Sequence, residues 1–510
     1  MSASREKKNR QEKAAQGYVD PKVIREAEEK AAQKKSKMLY GIIAALFVIV
    51  AVVCLVINSG VLQRNAKAVA INGEEFTAAE LSYYYNTAYN NVANSQYGAY
   101  MGLDTSAPLD TQMVSETAKM FLGITSEEEM TWHEYFLDNA KTTMVQVKSL
   151  YNAAIEAGED PNDDHVTEEI DATVELIGQY ASQSGYSTKE YLRLVFGKNM
   201  TENLFRQIVS QTHVASHYES EQLAALTYDE AALEKYYSEN KDLFDVAAYE
   251  SLYFAGTPET KKDAEGNTIE ATDEEKAAAK AAAAADAAAA LERVQAGEKL
   301  EDVAKDYESA SYTSTESGSN TGSDTMNWVF DAARVDGDSA VISGDPSATV
   351  VVFHSVGRQE YNTIDVRHIL VQVSAAEEED EQALWDEAKA EAEQILADWK
   401  AGEATEESFG EMAHQLSDDG ADHGLYENVY KGQMVEAFED WCFDAARKVG
   451  DTGIVETPYG YHVMYFVGEN GPYWQTQVTN VMMNNDHTAW LEALVADVQV
   501  EELSGIKHVG

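Results

Sequence analysis

The sequence is poor in cysteine, proline and positive charge. Its 510 residues include two cysteines and seven prolines, and 38 Lys and Arg stand against 89 Asp and Glu, a formal net charge of -51. Two cysteines, of which Cys54 lies in an apolar run, cannot build a disulfide framework. The acidic excess argues against nucleic acid as a partner and against a large contact with anionic lipid. The length exceeds what one core usually holds, so several domains are expected.

An uncharged apolar run, residues 38–57, is about as long as the ~20 residues that a helix needs to cross a bilayer. Residues 1–37 hold eleven Lys or Arg against six acidic residues, which is typical of a cytoplasmic flank. We therefore expect one transmembrane helix in the cytoplasmic membrane, a cytoplasmic N-terminus and an extracytoplasmic remainder. A cleaved signal peptide or a lipid anchor at Cys54 is less favoured, because the basic leader is long and Val53 stands where a small residue is expected.

Beyond this run the pattern changes to a hairpin and then to helices. Residues 69–76 alternate as two short strands around an Asn-Gly turn. Thr77 and Glu80 form a capping box, which marks a helix start. The pattern stays mainly helical to about Asn240, so we expect a helical domain over 61–244.

Tyrosines crowd the first part of this helical region: Tyr83, Tyr84, Tyr85, Tyr89, Tyr97 and Tyr100. A tyrosine side chain is apolar in its ring and polar at its tip, so it suits either a helical core or an adaptable surface for unfolded polypeptide. Core packing is the favoured interpretation, and a client surface is the alternative.

The last quarter of the chain carries short motifs in a fixed order. Residues 366–373 and 459–467 alternate apolar and polar side chains, as strands do. Segments with helical spacing lie between them. This pattern predicts a compact α+β domain, in which adjacent strands can bring His368 and His462 together.

The motifs are Val366-Arg367-His368-Ile369-Leu370-Val371, Ser417-Asp418-Asp419, Lys431-Gly432-Gln433-Met434 and Gly460-Tyr461-His462-Val463. Their order resembles the parvulin family of peptidyl-prolyl cis/trans isomerases and, more widely, the membrane-anchored PrsA-like and SurA-like foldases. The resemblance covers about 364–468 and implies a parvulin domain over 363–472. It also implies that the helical region is a chaperone domain, with the tail, 474–510, packing back on it.

The resemblance also implies which residues act. Rotation about an X-Pro bond crosses a barrier of ~18–20 kcal/mol and requires no covalent step. The residues implied for catalysis are His368, Asp419, His462, Thr457 and Tyr459. The residues implied for prolyl binding are Met434, Phe438, Leu425, Tyr426 and Phe443. Two departures stand out: Tyr459 replaces a Ser of many members, and His423-Gly424-Leu425-Tyr426-Glu427 replaces a Gly-Gly-x-Leu-Gly segment.

A metal site is another interpretation of the same stretch. Imidazole and carboxylate groups can ligate zinc, and the candidates within ten residues are His414, Asp418, Asp419, Asp422 and His423. Their spacing matches no metal motif with a known mechanism, so an acidic loop is the simpler explanation. We therefore predict no metal and no cofactor.

An internal repeat indicates that a related domain precedes the parvulin domain. Trp328-Val329-Phe330-Asp331-Ala332-Ala333-Arg334 returns as Trp441-Cys442-Phe443-Asp444-Ala445-Ala446-Arg447. We call 245–362 the first copy and 363–472 the second copy. The first copy is predicted to be degenerate, because Ser251 replaces His368 and Thr349 replaces His462. A Gly- and Ser-rich loop is expected at 314–324, where the second copy has Ser-Asp-Asp.

The combined prediction is an α+β multidomain protein with a basic leader, one transmembrane helix, a mainly helical SurA-like chaperone domain and two parvulin-like α+β domains. Its expected function is prolyl isomerisation and chaperoning of secreted or cell-envelope proteins. Its expected partners are unfolded polypeptides with X-Pro bonds. The acidic segment 377–381 disfavours phosphorylated clients. The alternative is a membrane-anchored holdase or scaffold that binds unfolded polypeptide without catalysis.

Overall fold

The structure is a computed structural model that describes residues 7–8, 37–38, 44–51 and 61–510, apart from 264–265, 267, 318–319 and 375–380. It forms two compact units. One holds the described residues up to Ala225 together with His487–Gly510, and the other holds Leu226–Asp486. None of the helices in these described ranges is long and apolar enough to span a membrane. Most of the predicted span, 38–57, lies outside the described residues.

The first unit is mainly helical. Its elements up to Ala225 are α1 (Val61–Arg64), β1 (Lys67–Ile71), β2 (Glu74–Thr77), α2 (Ala78–Ala93), α3 (Glu116–Phe121), α4 (Trp132–Ala157), α5 (Asp164–Gln183), α6 (Thr188–Phe196) and α7 (Glu202–Ala224). The predicted hairpin is confirmed, since Asn72 and Gly73 take φ of 50° and 83° between β1 and β2. The predicted capping box is also confirmed. Thr77 Oγ1 accepts from the Glu80 N–H, and Glu80 Oε2 accepts from the Thr77 N–H.

The core of the first unit is built along α4. Trp132, Phe136 and Met144 are fully buried, and their four- and eight-residue spacing places them on one helical face. They belong to the same core cluster as Leu81 on α2 and Phe205 on α7. Burying each such side chain stabilises the fold by roughly 1.5–3 kcal/mol, so these helices hold together through their apolar faces.

The tyrosines of the first unit divide between the two interpretations. Tyr84 and Tyr85 are buried in the core. Tyr97 and Tyr100 are 49% and 67% exposed. Core packing therefore accounts for the tyrosines on α2, whereas the pair beyond the end of α2 lies at the surface.

The second unit contains both copies of the repeat. The first copy and the helix before it comprise α8 (Glu230–Glu239), β3 (Val246–Phe254), β4 (Lys261–Lys262), β5 (Thr268–Ile269), α9 (Asp273–Gln295), α10 (Leu300–Ala304), β6 (Ser311–Ser317), α11 (Asp324–Val329), β7 (Ser339–Ser343) and β8 (Ala348–Gly357). The second copy comprises β9 (Asn362–Gln372), α12 (Glu381–Ala401), α13 (Glu406–Leu416), β10 (Leu425–Val429), α14 (Glu436–Cys442), β11 (Thr452–Thr457) and β12 (Gly460–Pro472). Their antiparallel sheets have the orders β6-β3-β8-β7 and β10-β9-β12-β11. Apart from the β4–β5 hairpin, the two copies thus share one topology.

The prediction of a loop at 314–324 is wrong for residues 314–317, which belong to a strand. β6 continues to Ser317 and pairs with β3 along its whole length. The composition resembles a loop, but the β-branched Thr313 and Thr315 favour a strand when a partner strand is available. Residues 305–310 lie between α10 and β6, and residues 417–424 of the second copy lie between α13 and β10. The two segments are therefore counterparts.

The sheet of the second copy separates two sets of side chains by simple alternation. Ile369 and Val371 on β9 pack in the cluster formed with α12 and α13. His368 and Leu370 lie on the opposite face. His462 on β12 stands directly opposite Leu370, which makes it a diagonal neighbour of His368 on that face. The register therefore brings the two histidines together, as the sequence predicts.

The chain end completes the first unit. α15 (Tyr473–Val495) begins in the second unit and ends in the first. β13 (Val500–Glu502) pairs antiparallel with β1 and makes a sheet of order β13-β1-β2. Val509 is buried in the core of this unit.

The first turns of α15 belong instead to the second unit. Trp474 and Val478 are buried against Leu233, Tyr237 and Phe244 from α8 and the segment after it. The second unit accordingly includes residues 226–244 and 474–486, which the sequence assigns to the helical domain and its tail. The apolar contacts between α8 and α15 explain this difference.

Candidate active site

A cavity of about 350 Å³ opens on the histidine face of the second-copy sheet. It is lined by His368, Leu370, Asp419, Tyr426, Gln433, Met434, Val435, Phe438, Tyr459 and His462. Met434, Val435 and Phe438 make an apolar wall, and the histidines with Asp419 make a polar one. A mostly apolar concavity with a few convergent polar groups is the usual form of a binding site.

Seven of the ten predicted residues line this cavity, and the other three do not. Thr457 lies behind His462 and is joined to it by a hydrogen bond. Leu425 stands opposite Arg367 in the β10–β9 pair; because neighbours on a strand point to opposite faces, it turns away from the side that Tyr426 occupies. Phe443 follows the end of α14 and packs edge-on against Tyr361, with ring centroids 5.9 Å apart.

Three lining residues were not predicted: Leu370, Gln433 and Val435. Leu370 follows His368 by two positions on β9, so strand periodicity identifies it as a neighbour on the same face. Gln433 and Val435 flank Met434 in a turn before α14. A turn has no side-chain period, so only the three-dimensional structure assigns them to the cavity.

The two histidines form a buried hydrogen-bonded pair. Their Nδ1 atoms are 3.1 Å apart, and the side chains of His368 and His462 are nearly inaccessible. Nε2 of His462 is 2.9 Å from Thr457 Oγ1. Nε2 of His368 lies 3.4 Å from Asp419 Oδ2 and makes no hydrogen bond with any residue that the structure describes.

Burial keeps this pair neutral. Burial is the main cause that lowers the pKa of His368 well below its usual value, although Asp419 acts in the opposite direction. Burial, followed by the charge of His368, lowers the pKa of His462 to about 4. Each neutral ring carries one N–H. With an N–H on the Nε2 that faces the Asp419 carboxylate, His368 accepts at Nδ1 from His462. His462 then accepts at Nε2 from the Thr457 hydroxyl, which also lies 3.3 Å from the Gly460 carbonyl. In this arrangement the charge of Asp419 orients His368, His462 and Thr457, which we call the histidine row.

Asp419 is held in place from several sides. Its Oδ1 accepts from the Ala421 N–H at 3.0 Å, and its Oδ2 accepts from the Tyr426 hydroxyl at 2.8 Å. Burial, then the hydrogen bond and charge of Asp419, raises the pKa of Tyr426 to about 12, so this hydroxyl keeps its proton. The Tyr426 ring also stacks on His368 with centroids 4.8 Å apart. Tyr426 thus links the carboxylate to the histidine pair.

The Ser-Asp-Asp motif attaches the Asp419 loop to β9. Ser417 Oγ accepts from the Leu370 N–H at 3.0 Å, and Asp418 Oδ2 accepts from the Gln372 N–H at 2.8 Å. The Asp418 N–H donates to the Leu370 carbonyl. Gly424 ends the loop at φ +64°, and a Cβ there would lie 2.2 Å from the His368 carbonyl oxygen. The first two residues of the motif therefore position the third.

Tyr459 occupies the rim. Its side chain is 57% exposed, and its backbone N–H donates to Thr457 Oγ1 at 3.2 Å. Within the described residues no hydrogen bond joins its hydroxyl to the histidine row. The side chain therefore borders the cavity without belonging to the buried network.

Comparison with known proteins matches part of the chain to a protein family. Residues 350–469 match the model of the PPIC-type PPIASE domain. No curated protein is significantly similar to the chain.

Several solved structures are similar at low identity. PrsA from Bacillus subtilis is 15% identical, over 76% of this chain and 93% of that chain, with a TM-score of 0.27. The peptidylprolyl isomerase PrsA from Bacillus anthracis is 20% identical, over 27% of this chain and 60% of that chain, with a TM-score of 0.18. A SurA-like chaperone of Campylobacter jejuni is 16% identical, over 69% of this chain and 89% of that chain, with a TM-score of 0.17.

The matched segment starts within β8 and contains every residue of the cavity. It also contains the two hydrogen-bonded histidines, Asp419 beside them, and the apolar wall of Met434, Val435 and Phe438. Seven of the ten residues that the resemblance to parvulins implies for the site are thus brought together at one cavity. Residues 350–469 form a PPIC-type peptidyl-prolyl cis/trans isomerase domain of the parvulin type.

Proposed function

We propose that the second copy isomerises X-Pro bonds in unfolded polypeptides, and that the chain is a membrane-anchored foldase acting outside the cytoplasm. The observation that carries this proposal is the cavity in which an apolar wall faces Asp419 and a buried pair of neutral histidines. Such a site can hold a prolyl ring beside a fixed charge without covalent chemistry.

The apolar wall supplies binding. Phe438 is buried and Met434 is partly buried in one cluster, and together they offer an apolar surface for a prolyl ring. Phe438 also packs edge-on against His368 and His462, with centroids 5.5 Å and 5.4 Å away. Its position is therefore fixed, and the ring of the substrate meets a pocket that is already formed. Holding the prolyl ring lets the preceding peptide bond rotate against it.

The polar wall supplies electrostatic stabilisation. As an X-Pro bond twists, it loses amide resonance and its charge distribution changes, so a charge held in one orientation can favour the twisted form. Asp419 is that charge, with its oxygens fixed by Ala421 and Tyr426. The histidine row lies beneath it. Each ~1.36 kcal/mol removed from the barrier accelerates rotation about tenfold.

The test is isomerisation of unphosphorylated peptides with several residues before proline, measured by protease-coupled assay with the full-length chain. We expect activity that falls strongly in His368→Ala and Asp419→Ala. Ser251→Ala, at the first-copy position that corresponds to His368, is the matched control and should keep full activity. Circular dichroism checks that the variants fold. A folded wild-type chain that is inactive on all peptides would replace this proposal with the non-catalytic holdase.

Unmodified polypeptides are the proposed clients. The acidic segment 377–381 would repel phosphate groups; of its residues, the structure describes only Glu381, the first residue of α12. A phosphorylated Ser-Pro peptide should therefore be a poorer substrate than its unphosphorylated form. Faster turnover of the phosphorylated peptide would contradict this.

A surface in the first unit supports the chaperone part of the proposal. The Phe121 ring lies 5.8 Å from that of Tyr97 and 5.7 Å from that of Tyr100, and Met120 beside it is 75% exposed. Tyr97 and Phe121 help to line a cavity of about 360 Å³. Exposed aromatic groups beside an apolar hollow suit the side chains of an unfolded client.

This surface can be tested apart from the isomerase site. The variant Tyr97→Ser/Tyr100→Ser should suppress aggregation of an unfolded protein less well than wild type, with unchanged peptide isomerisation. Tyr186→Ser, another exposed tyrosine of the same unit, is the control. Equal suppression by all three chains would remove this surface from the proposal.

The membrane anchor rests on the sequence. Residues 38–57 are apolar and uncharged and follow a basic leader, so they fit a single span with the N-terminus inside. The full-length chain should stay in the membrane fraction after alkaline extraction, and a chain lacking 38–57 should not. A full-length chain that alkaline treatment extracts completely would contradict the anchor.

A further inference from the structure

A cluster of ligating side chains lies on the second copy outside the cavity. His414 stands in the last turn of α13, and Asp422 and His423 stand in the short 3-10 turn before β10. Their donor atoms all lie within 4.8 Å of one another. The two imidazole rings stack with centroids 4.8 Å apart and planes at 19°.

The structure also removes two residues from the wider set that the sequence offers. Asp418 accepts a backbone hydrogen bond from β9, and Asp419 faces His368 and the cavity. What remains is a compact group of two imidazoles and one carboxylate. Its members are at most nine residues apart in the chain, and the fold brings their donor atoms within 4.8 Å of one another.

In contrast to the expectation of no metal that the spacing alone gives, we propose that His414, Asp422 and His423 form a Zn²⁺ site. Two nitrogen donors and one carboxylate suit Zn²⁺ with an open fourth position, whereas Ca²⁺ and Mg²⁺ prefer oxygen ligands throughout. Zn²⁺ holds such donors at about 2.0–2.2 Å, which places them roughly 3.3 Å from one another. The side chains of His414 and Asp422 are exposed, so rotation about their own bonds can bring the donors in.

His423 is already held for this role. Its backbone takes φ 49°, and its carbonyl accepts from Arg367 Nη1 at 3.0 Å. Its Nε2 lies 3.7 Å from Asp422 Oδ1, while its Nδ1 lies 3.8 Å from Glu411 Oε1. With Zn²⁺ on Nε2, the Nδ1–H is left on the side of the Glu411 carboxylate, 3.8 Å away, and a carboxylate beside the second ring nitrogen is a common support for metal-binding histidines.

The site brackets the loop of the isomerase. The segment between His414 and Asp422 contains the Ser-Asp-Asp motif and therefore Asp419. A metal ion would join the end of α13 to the turn that leads into β10, which closes this segment into a short loop. Zn²⁺ would thus stabilise the second copy and restrict the loop that carries Asp419. Metal binding itself does not depend on isomerase activity.

The test is titration of the untagged, chelator-treated full-length chain with Zn²⁺ by calorimetry, with Co²⁺ absorption as the probe of the ligands. We expect saturable binding that His414→Gln and His423→Gln remove and that Asp422→Asn weakens. Tm should rise with Zn²⁺ in wild type and not in the histidine variants, because a ligand that binds only the folded state stabilises it. Asp422 is 92% exposed at its side chain, so its variant should fold normally.

A second group, Glu159, His217 and Glu221, provides the internal control. Its donor atoms also lie within 4.8 Å of one another, but it offers a single imidazole. The variant His217→Gln should keep the Zn²⁺ that His414→Gln loses. The proposal is overturned by the absence of saturable binding in wild type, by binding that survives in the double variant His414→Gln/His423→Gln, or by binding that only His217→Gln removes.

Discussion

The first and second copies share a strand order and differ in what their sheets present. In the second copy, His368 on β9 and His462 on β12 are diagonal neighbours; in the first, Ser251 and Thr349 hold the same relation on β3 and β8. The register would therefore place two histidines equally well in either copy. The comparison shows that this sheet is a scaffold, and that the chemistry depends on which side chains occupy it.

The copies differ again in the loop after the helix pair. Residues 417–424 carry Asp419 to the cavity, whereas the counterpart 305–310 is two residues shorter and its Asp306 is paired with Arg293. By alignment of the repeat, Met434 and Phe438 correspond to Thr321 and Thr325. The first copy thus lacks the carboxylate loop and the apolar wall as well as the histidines.

What the copies share is structural. Arg334 lies over the Trp328 ring at 4.8 Å, and Arg447 lies over the Trp441 ring at 3.9 Å. The residue after each tryptophan, Val329 or Cys442, is buried. The repeated motif therefore preserves the packing of the short helix and says nothing about catalysis.

The largest expected effect comes from giving the second copy the residues of the first. His368→Ser/His462→Thr should lower kcat/KM by about 100-fold or more, because the support for the oriented charge is lost. The reverse change, Ser251→His/Thr349→His, should leave the activity of the whole chain unchanged, since the first copy has no Asp419 loop. Both are measured by peptide isomerisation. Activity gained through the first copy would contradict the assignment of catalysis to the second copy alone.

The next effect is on stability, and the copies should respond to pH in opposite directions. The lowered pKa values of His368 and His462 mean that the unfolded chain binds protons first. The two histidines therefore contribute fully to the free energy of unfolding above about pH 6.5. This contribution falls by on the order of 2 kcal/mol as the pH drops toward 4.

His354 in the first copy has the opposite sign. Although burial lowers its pKa, hydrogen bonds and charge from Asp336 and Glu250 raise it overall. Its contribution to the free energy of unfolding is thus present below about pH 6.5. This contribution is lost as the pH rises through the pKa that His354 has in the folded protein. Its side chain is 40% exposed, so this effect is small.

Hydrogen exchange, corrected for intrinsic rates, separates the two copies. Between pH 7 and pH 5 the amides of β12 should lose protection, and those of β8 should not. The variant His368→Ser/His462→Thr should abolish the loss in β12. Parallel behaviour of both strands would contradict the assignment of the pH response to the histidine pair.

A smaller effect is expected from Tyr426→Phe. This change removes the hydroxyl that donates to Asp419 at 2.8 Å and keeps the ring on His368. Loss of one hydrogen bond to a charged group should lower kcat/KM about tenfold.

A tyrosine in the same sheet offers the matched control for this change. Tyr461 donates to Glu456 at the same distance, 2.8 Å, and packs with α12 and α13. Tyr461→Phe should leave catalysis unchanged in the same assay. Equal losses in the two variants would mean that Tyr426 acts only through the stability of the fold.

The smallest effect concerns what the copies have in common. Replacing either arginine, as Arg334→Lys or Arg447→Lys, should cost about 0.5–1 kcal/mol of unfolding free energy, because a flat guanidinium stacks on indole better than an ammonium does. Denaturant unfolding measures both. A large loss in only one copy would show that the repeated motif has different roles in the two domains.

Much of this arrangement could be predicted from the sequence. Strand alternation places His368 on a face of β9, and the repeat of the tryptophan motif predicts a second domain of the same kind. The error at 314–324 arose because Ser and Gly suggest a loop, while pairing with β3 decided the outcome for Ser311–Ser317. Leu425 was expected at the cavity because the altered segment leaves its register open, and only the pairing with Arg367 fixes it.

The metal candidates show a different limit. Five ligating residues within ten positions could not be sorted by spacing, since the segment leaves a helix, follows an irregular loop and enters a 3-10 turn. Side-chain direction has no period across such a segment. In the structure, Asp418 accepts a backbone hydrogen bond from β9 and Asp419 lines the cavity. Neither carboxylate therefore belongs to the candidate metal site.

The pairing of β13 with β1 has a consequence for how the protein is made. Glu502 stands opposite Val69, so β1 gains this partner strand only after the second unit has been synthesised. The continuous second unit is an insertion within the first and needs no distant partner strand. Contacts between distant parts of a chain form slowly. We expect the isomerase copies to mature first during synthesis, and the helical unit to reach its final form only after β13 has emerged.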